Sequence, residues 1–280
     1  IDVAQEKTLT YGGASLSLGA NILTISGAGT LSNASGYVLG DQESVLKLTG
    51  TNTVSGPVSL NAGMIEADES STLNSDLTLG GSATIDVAEE KTLTYGGASL
   101  SLGANTLTIS GAGTLSNASG YVLGDPSSVL KLSGTNTISG PVSLNAGVID
   151  VDESSTLSSD LTLGGSALID VSQDKTLTYS GASLALGENT LTVTGAGTLS
   201  NPSGYVLGDQ ESVLKLSGTN TISGPVSLNT GSIDVDESSV LSSDLTLGGS
   251  ATIDVAEDKT LTYGGASLSL GANTLTISGS

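Results

Sequence analysis

Short bursts of alternating aliphatic and polar residues run through the whole chain. The first turn of the pattern reads Ile1-Asp2-Val3, then Thr8-Leu9-Thr10, then Leu16-Ser17-Leu18. An alternation of period two puts aliphatic side chains on one face of a strand and polar ones on the other. No stretch carries the 3.6-residue spacing of a helix, so the pattern predicts an all-β chain. The bursts are separated by Gly, Asn and Ser, but Asn-Gly and Asp-Gly, the two-residue turns that reverse a strand into a hairpin, do not occur. Corners such as Gly-Gly, Gly-Ala-Gly and Gly-Thr-Asn instead bend a chain that keeps coiling in one sense.

The pattern repeats at two scales. Ile1-Asp2-Val3-Ala4 with Lys7-Thr8-Leu9-Thr10-Tyr11 returns near-identically at residues 85–95, 169–179 and 253–263, a period of 84 residues. Each period divides into four blocks of about 21 residues with three strands apiece, the signature of stacked structural units. The predicted fold is a single-stranded parallel β-helix, or β-solenoid, triangular in section, with four turns per 84-residue repeat. The repeats are 1–84, 85–168 and 169–252, with a partial copy at 253–280, forming one continuous solenoid. At roughly 4.8 Å between turns, about thirteen turns make a rod on the order of 60 Å long. Right-handed coiling is expected from the general preference of parallel crossovers.

Stacking converts the sequence into columns. Aliphatic columns such as Leu9, Leu31, Val54, Leu73 and Leu93 face inward, each buried side chain contributing roughly 1.5–3 kcal/mol. Tyr11, Tyr95, Tyr179 and Tyr263 recur at one corner, where the ring is expected to cover the core and the hydroxyl to reach water. On the first strand, the outward column reads Asp2, Thr24, Lys47, Glu66, Asp86, Thr108, Lys131, Asp150, Asp170, Thr192, Lys215, Asp234, Asp254. It predicts a salt-bridge ladder of Lys47 with Glu66, Lys131 with Asp150 and Lys215 with Asp234. It also stacks like charges where one repeat meets the next: Glu66 under Asp86, Asp150 under Asp170, Asp234 under Asp254. Such pairs repel or recruit a cation, so each junction is a candidate weak Ca²⁺ site, with Asp68, Glu69, Asp152, Glu153, Asp236 and Glu237 as further ligands. The competing reading is a solvated acidic ridge. No other cofactor is expected.

Composition narrows the function. The chain has 280 residues, lacks Phe, Trp, His, Cys and Arg, and sets seven Lys against 28 acidic residues for a net charge of −21. A core built from Leu, Ile, Val and Ala without large aromatics suits a thin coil. The charge excludes a phosphate-neutralising surface, so nucleic acid is not an expected partner. No apolar run is long enough for a membrane helix, and no insertion of this segment into a membrane is expected. Every candidate carboxylate has near-copies 84 residues away and no Arg or His accompanies it, so no catalytic residues are assigned and the chain is read as a non-enzyme. Thr8 with Thr10, Thr30 with Ser32, Thr53 with Ser55 and Thr72 with Asn74 form a double hydroxyl row on the second strand, interrupted at Val240. Thr-x-Thr rows resemble those of ice-binding solenoids.

Ser44-Val45-Leu46-Lys47-Leu48-Thr49-Gly50-Thr51-Asn52-Thr53-Val54-Ser55-Gly56 continues through Pro57-Val58-Ser59-Leu60-Asn61-Ala62-Gly63 and recurs at 128–147 and 212–231, the last with Thr230 in place of Ala62. Its Leu-x-Leu-x-Gly-x-Asn-Thr core and following Ser-Gly resemble the passenger-associated repeat of bacterial autotransporters and adhesins. The resemblance covers about a quarter of the chain. It implies a secreted or surface-displayed right-handed β-helix acting as a stalk or adhesin in a Gram-negative bacterium. The expected function is a structural extracellular filament. The expected partner is self, through a longer chain, a filament or lateral bundling; an adhesin and an ice-binding solenoid are the alternatives. Neither end carries a polar cap, so the chain is expected to be an excerpt of a longer polypeptide.

Overall fold

The computed structural model describes residues 1–279 and contains strands and turns but no helix. It is a β-solenoid of about 13 turns in which every strand pair is parallel and partners lie about 22 residues apart. The strands fall on three faces in strict rotation. The chain divides into two compact units, Ile1–Pro141 and the residues from Val142 on.

In the first unit the first face stacks Asp2–Val3, Ile22–Gly27, Val45–Leu48, Met64–Ala67, Ala83–Val87, Thr106–Gly111 and Val129–Leu132. The second face stacks Thr8–Thr10, Thr30–Ser32, Thr53–Ser55, Ser71–Leu73, Thr92–Tyr95, Thr114–Ser116 and Thr137–Ser139. The second unit repeats both arrangements, for example Ala167–Val171, Thr190–Gly195 and Val213–Leu216 on its first face. Alternate residues of each strand point inward: Leu31, Val54, Leu46, Leu48, Ile65 and Leu60 are all at most 2% exposed. Their aliphatic burial is the main stabilising contribution.

Two details of register differ from the simple columns. Asp2 stands opposite Ser26 rather than Thr24, Asp86 opposite Ser110 rather than Thr108, Asp170 opposite Thr194 rather than Thr192, and Asp254 opposite Ser278. On the second face Leu73 stands opposite Tyr95, and Leu93 faces Ser71. Both shifts are two residues, so every side chain keeps its inward or outward sense, which a one-residue slip would reverse. The residues concerned are accommodated at one corner. Between Ala67 and Ser71 the chain turns in four steps, whereas between their partners Val87 and Leu93 it takes six. The longer corner closes as a tight turn, Lys91 N–H to Ala88 O at 3.0 Å, with Glu90 at φ 60°. Asp174 holds the same position in the second unit, also at φ 60°. A left-handed conformation at a residue other than Gly costs roughly 1 kcal/mol.

The third face records the consequence. In the first unit Leu16–Ser17, Tyr37–Leu39, Val58–Leu60 and Leu77–Leu79 form one sheet, and Leu100–Ser101 begins another by pairing with Tyr121–Leu123. In the second unit Leu161–Leu163 ends one sheet and Leu184–Ala185 starts the next. The backbone ladder of this face is thus interrupted at the first two repeat junctions, where the fourth turn meets the following first turn. Only at the last such junction, where Leu268–Ser269 is the final strand of the face, do the two sides pair, Leu245 opposite Leu268.

Candidate functional site at the repeat seam

The interrupted junction, called the seam below, is where side chains take over from backbone. Leu77 donates its N–H to the Tyr95 hydroxyl oxygen at 3.0 Å, in place of a strand partner. The Asp76 carboxylate accepts the Ala98 N–H at 3.1 Å, and Ser70 Oγ accepts the Thr92 N–H at 3.1 Å. Just above, Ser82 Oγ accepts the Thr106 N–H at 2.9 Å. The second unit repeats the set with Asp160 and Ala182, Ser154 and Thr176, and Ser166 and Thr190. Each substitution satisfies a backbone donor that would be costly to leave unpaired.

Tyr95 and Tyr179 correct the expected role of the corner tyrosines. Both are buried, at 2% and 1% exposure, and their hydroxyls face the seam rather than water. Burial pushes both phenols up. Tyr11, in the first turn, is exposed at 46%. A second buried series, Tyr37, Tyr121 and Tyr205, lies on the third face, each hydroxyl donating to the carbonyl six residues before it: Leu31, Leu115 and Leu199 at 3.3, 3.2 and 3.0 Å. Burial pushes the Tyr37 phenol up to about 12 and drives Tyr121 and Tyr205 further in the same direction.

The charged side chains run along the same region. Lys47 Nζ lies 2.5 Å from Glu66 and 3.0 Å from Asp68, while the adjacent Glu69 reaches across the seam to Lys91 at 2.7 Å. Lys215 likewise contacts Asp234 at 2.7 Å and Asp236 at 2.8 Å, and Glu237 contacts Lys259 at 2.7 Å. Lys175 pairs with Glu153 at 2.6 Å. The hydrogen bonds that Lys47 donates to Glu66 and then to Asp68 raise its ammonium above the ordinary value. Asp234 and Asp236 do the same for Lys215, which in turn holds Asp236 below the usual carboxylate range. These are half-exposed pairs, each contributing a few tenths to about 1 kcal/mol. Lys131 lies on Val129–Leu132 of the first unit and Asp150 on Val148–Val151 of the second.

The stacked acids proposed for Ca²⁺ do come side by side: Glu66 with Asp86, Asp150 with Asp170, Asp234 with Asp254. Their oxygens, however, have protein partners. Asp86 accepts from Ser110 at 2.5 Å, Asp170 from Thr194 at 2.9 Å and Asp254 from Ser278 at 2.5 Å. The corner acids Asp68, Glu69, Glu153, Asp236 and Glu237 are turned to lysines, whereas Ca²⁺ needs six or more oxygens converging on one point. Among the described residues no group of three acidic, His or Cys side chains is placed to hold a metal.

Buried asparagines are the functional residues of the fold that the sequence columns passed over. Asn52 and Asn220 are at 1% and 0% exposure. Asn52 Nδ2 donates to Ser26 O at 3.1 Å and Gly27 O at 3.2 Å in the turn before, while its Oδ1 accepts the Gly50 N–H at 3.1 Å. Ser71 of the turn after donates to Gly50 O at 2.8 Å, so the first corner is fastened across three successive turns. Asn33 does related work at the second corner, donating to Gly36 O at 2.8 Å and accepting the Ser35 N–H at 3.0 Å. The invariant Asn of the Gly-Thr-Asn-Thr corner was the available signal.

Two open recesses occupy equivalent positions in the two units. A trough of about 370 Å³ in the first unit is lined by Gln42, Met64, Ser82, Thr84, Thr106 and Thr108. One of about 400 Å³ in the second unit is lined by the residues 168 positions later, including Gln210, Ser250, Thr252 and Thr276. No helix among the described residues is long and apolar enough to cross a membrane. No protein-family model matches the chain, and no curated protein or solved structure matches it either.

Proposed function

We propose that the chain is a structural element of an extracellular or cell-surface filament, a non-catalytic stalk whose repeats set length and stiffness. The observation that carries this reading is the recurrence of the main polar features. Seam tyrosine, corner asparagine, lysine–carboxylate cluster and trough each recur at equivalent positions, so no single place is set apart for chemistry. A bacterial surface protein resembling autotransporter passengers is the finer form of the proposal, resting on the residues of the Gly-Thr-Asn-Thr repeat. Adding or deleting whole 84-residue repeats tests it: four turns at roughly 4.8 Å should change the span in electron micrographs by about 19 Å per repeat. Ligand uptake that scales with repeat number would instead make the protein a lateral adhesin.

A second reading, ice binding, is favoured by one column of the second face. Thr8, Thr30, Thr53, Thr72 and Thr94 stand in register on five successive turns. Thermal hysteresis of the purified protein supports it, and freezing without hysteresis removes it.

A further inference from the structure

An ordinary turn-to-turn interface is held by three backbone ladders. On the third face of the first unit, for example, Val58–Leu60 pairs with Leu77–Leu79, and the flanking bonds Val58 N–H to Asp76 O at 2.8 Å and Gly80 N–H to Leu60 O at 3.1 Å are backbone to backbone. At the seams that separate Leu77–Leu79 from Leu100–Ser101 and Leu161–Leu163 from Leu184–Ala185 this third ladder is missing, whereas at the last repeat junction Leu245 still pairs with Leu268. The place of the missing ladder is taken by Leu77 N–H to the Tyr95 hydroxyl, Ala98 N–H to the Asp76 carboxylate, and Asn105 Nδ2 to Leu79 O at 3.4 Å. Each of these bonds depends on one rotatable side chain. Backbone pairing on the other two faces continues across the seam, so the interface is thinned rather than absent.

The stability of a stacked array is close to a sum of unit terms and nearest-neighbour interface terms, so the weakest interface defines where cooperative opening starts and stops. From this we infer that the seam is the built-in yield point of the solenoid, and that opening under load or thermal fluctuation proceeds in blocks of one 84-residue repeat rather than turn by turn. The inference rests on the fold alone and stands or falls independently of what the filament is for.

Residue-resolved amide exchange on the whole 280-residue chain tests it in the second unit. The Leu161 amide meets the hydroxyl of Tyr179 at the seam. The Tyr205 amide donates to Pro225 O at 2.8 Å and the Val226 amide to Asp244 O at 2.9 Å, at ordinary interfaces of the same face. Leu161 should exchange at least ~10-fold faster than either, the equivalent of about 1.4 kcal/mol. Tyr179→Phe should raise exchange at Leu161 by a further ~10-fold and leave Tyr205 and Val226 unchanged. Stretching the unmodified chain between its ends should lengthen it in steps of about 28 nm, the extended length of one repeat. Equal exchange at Leu161, Tyr205 and Val226, or stretching in steps of about 7 nm for single turns, would overturn the inference. Should Tyr179→Phe fail to fold, the exchange and stretching of the unsubstituted chain still decide it.

Discussion

Replacing Asn220 isolates what the buried corner amide contributes. Its Nδ2 donates to Thr194 O at 2.8 Å and Gly195 O at 3.2 Å, and its Oδ1 accepts the Gly218 N–H at 3.1 Å. The side chain is 0% exposed, so water cannot replace it without opening the corner. Asn220→Ala removes three hydrogen bonds of about 1 kcal/mol each and strands two carbonyls and one N–H, for an expected loss of about 3 kcal/mol. Asn220→Asp keeps the volume and the bond from Gly218 but turns a donor into an acceptor facing two carbonyl oxygens. Burial and those carbonyls should raise the carboxyl above its unfolded value of about 3.9. A raised folded pKa means that stability is present at low pH and lost as pH rises through that value. Asn220→Asp should therefore be the less stable variant near pH 7 and should recover toward or above Asn220→Ala near pH 4. Urea unfolding followed by circular dichroism at the two pH values, with amide exchange around residues 195 and 218–221 to localise the effect, measures both quantities. A loss under about 0.5 kcal/mol for Asn220→Ala, or an Asn220→Asp variant indifferent to pH, would refute the corner-clamp argument.

Two further outcomes follow from burial at the seam and on the third face. A Cβ at Gly97 would lie 2.6 Å from the Tyr95 hydroxyl and 2.7 Å from Asp76 Oδ1, whereas one at Gly96 meets nothing closer than 3.6 Å. Gly97→Ala should thus cost about 1–3 kcal/mol by overpacking, while Gly96→Ser, which copies Ser180 of the third repeat, should stay within about 0.5 kcal/mol in the same urea assay. The phenol of Tyr37 is raised to about 12 by burial, against about 10 in an unfolded chain. The raised value makes its contribution complete below pH 10 and lost as pH climbs through 12, so phenolate absorbance of the buried tyrosines should appear together with loss of the β-sheet dichroism. Full titration near pH 10 with the dichroism intact would contradict that placement.

The period-two alternation and the 84-residue repeat determined the fold class from the sequence by itself. Strands whose aliphatic residues all face one way, joined by corners that cannot reverse, have only one way to bury Leu31, Val54 and Leu46, which is to coil and stack. Charge order placed Lys47 beside Glu66 and Lys215 beside Asp234 for the same reason: outward residues on neighbouring parallel strands are neighbours in space. The tertiary structure alone decided the two-residue shifts that set Asp86 against Ser110 and Leu73 against Tyr95. A shift of two leaves the alternation unchanged and is invisible to it. The buried hydroxyl of Tyr95 depends on that shift, because only in the displaced register does the ring lie where Leu77 needs an acceptor. Asn52 and Asn220 recur visibly in the sequence, but their partners were hidden, since the carbonyls they reach lie about 25 residues earlier and belong to backbone, which no side-chain pattern records.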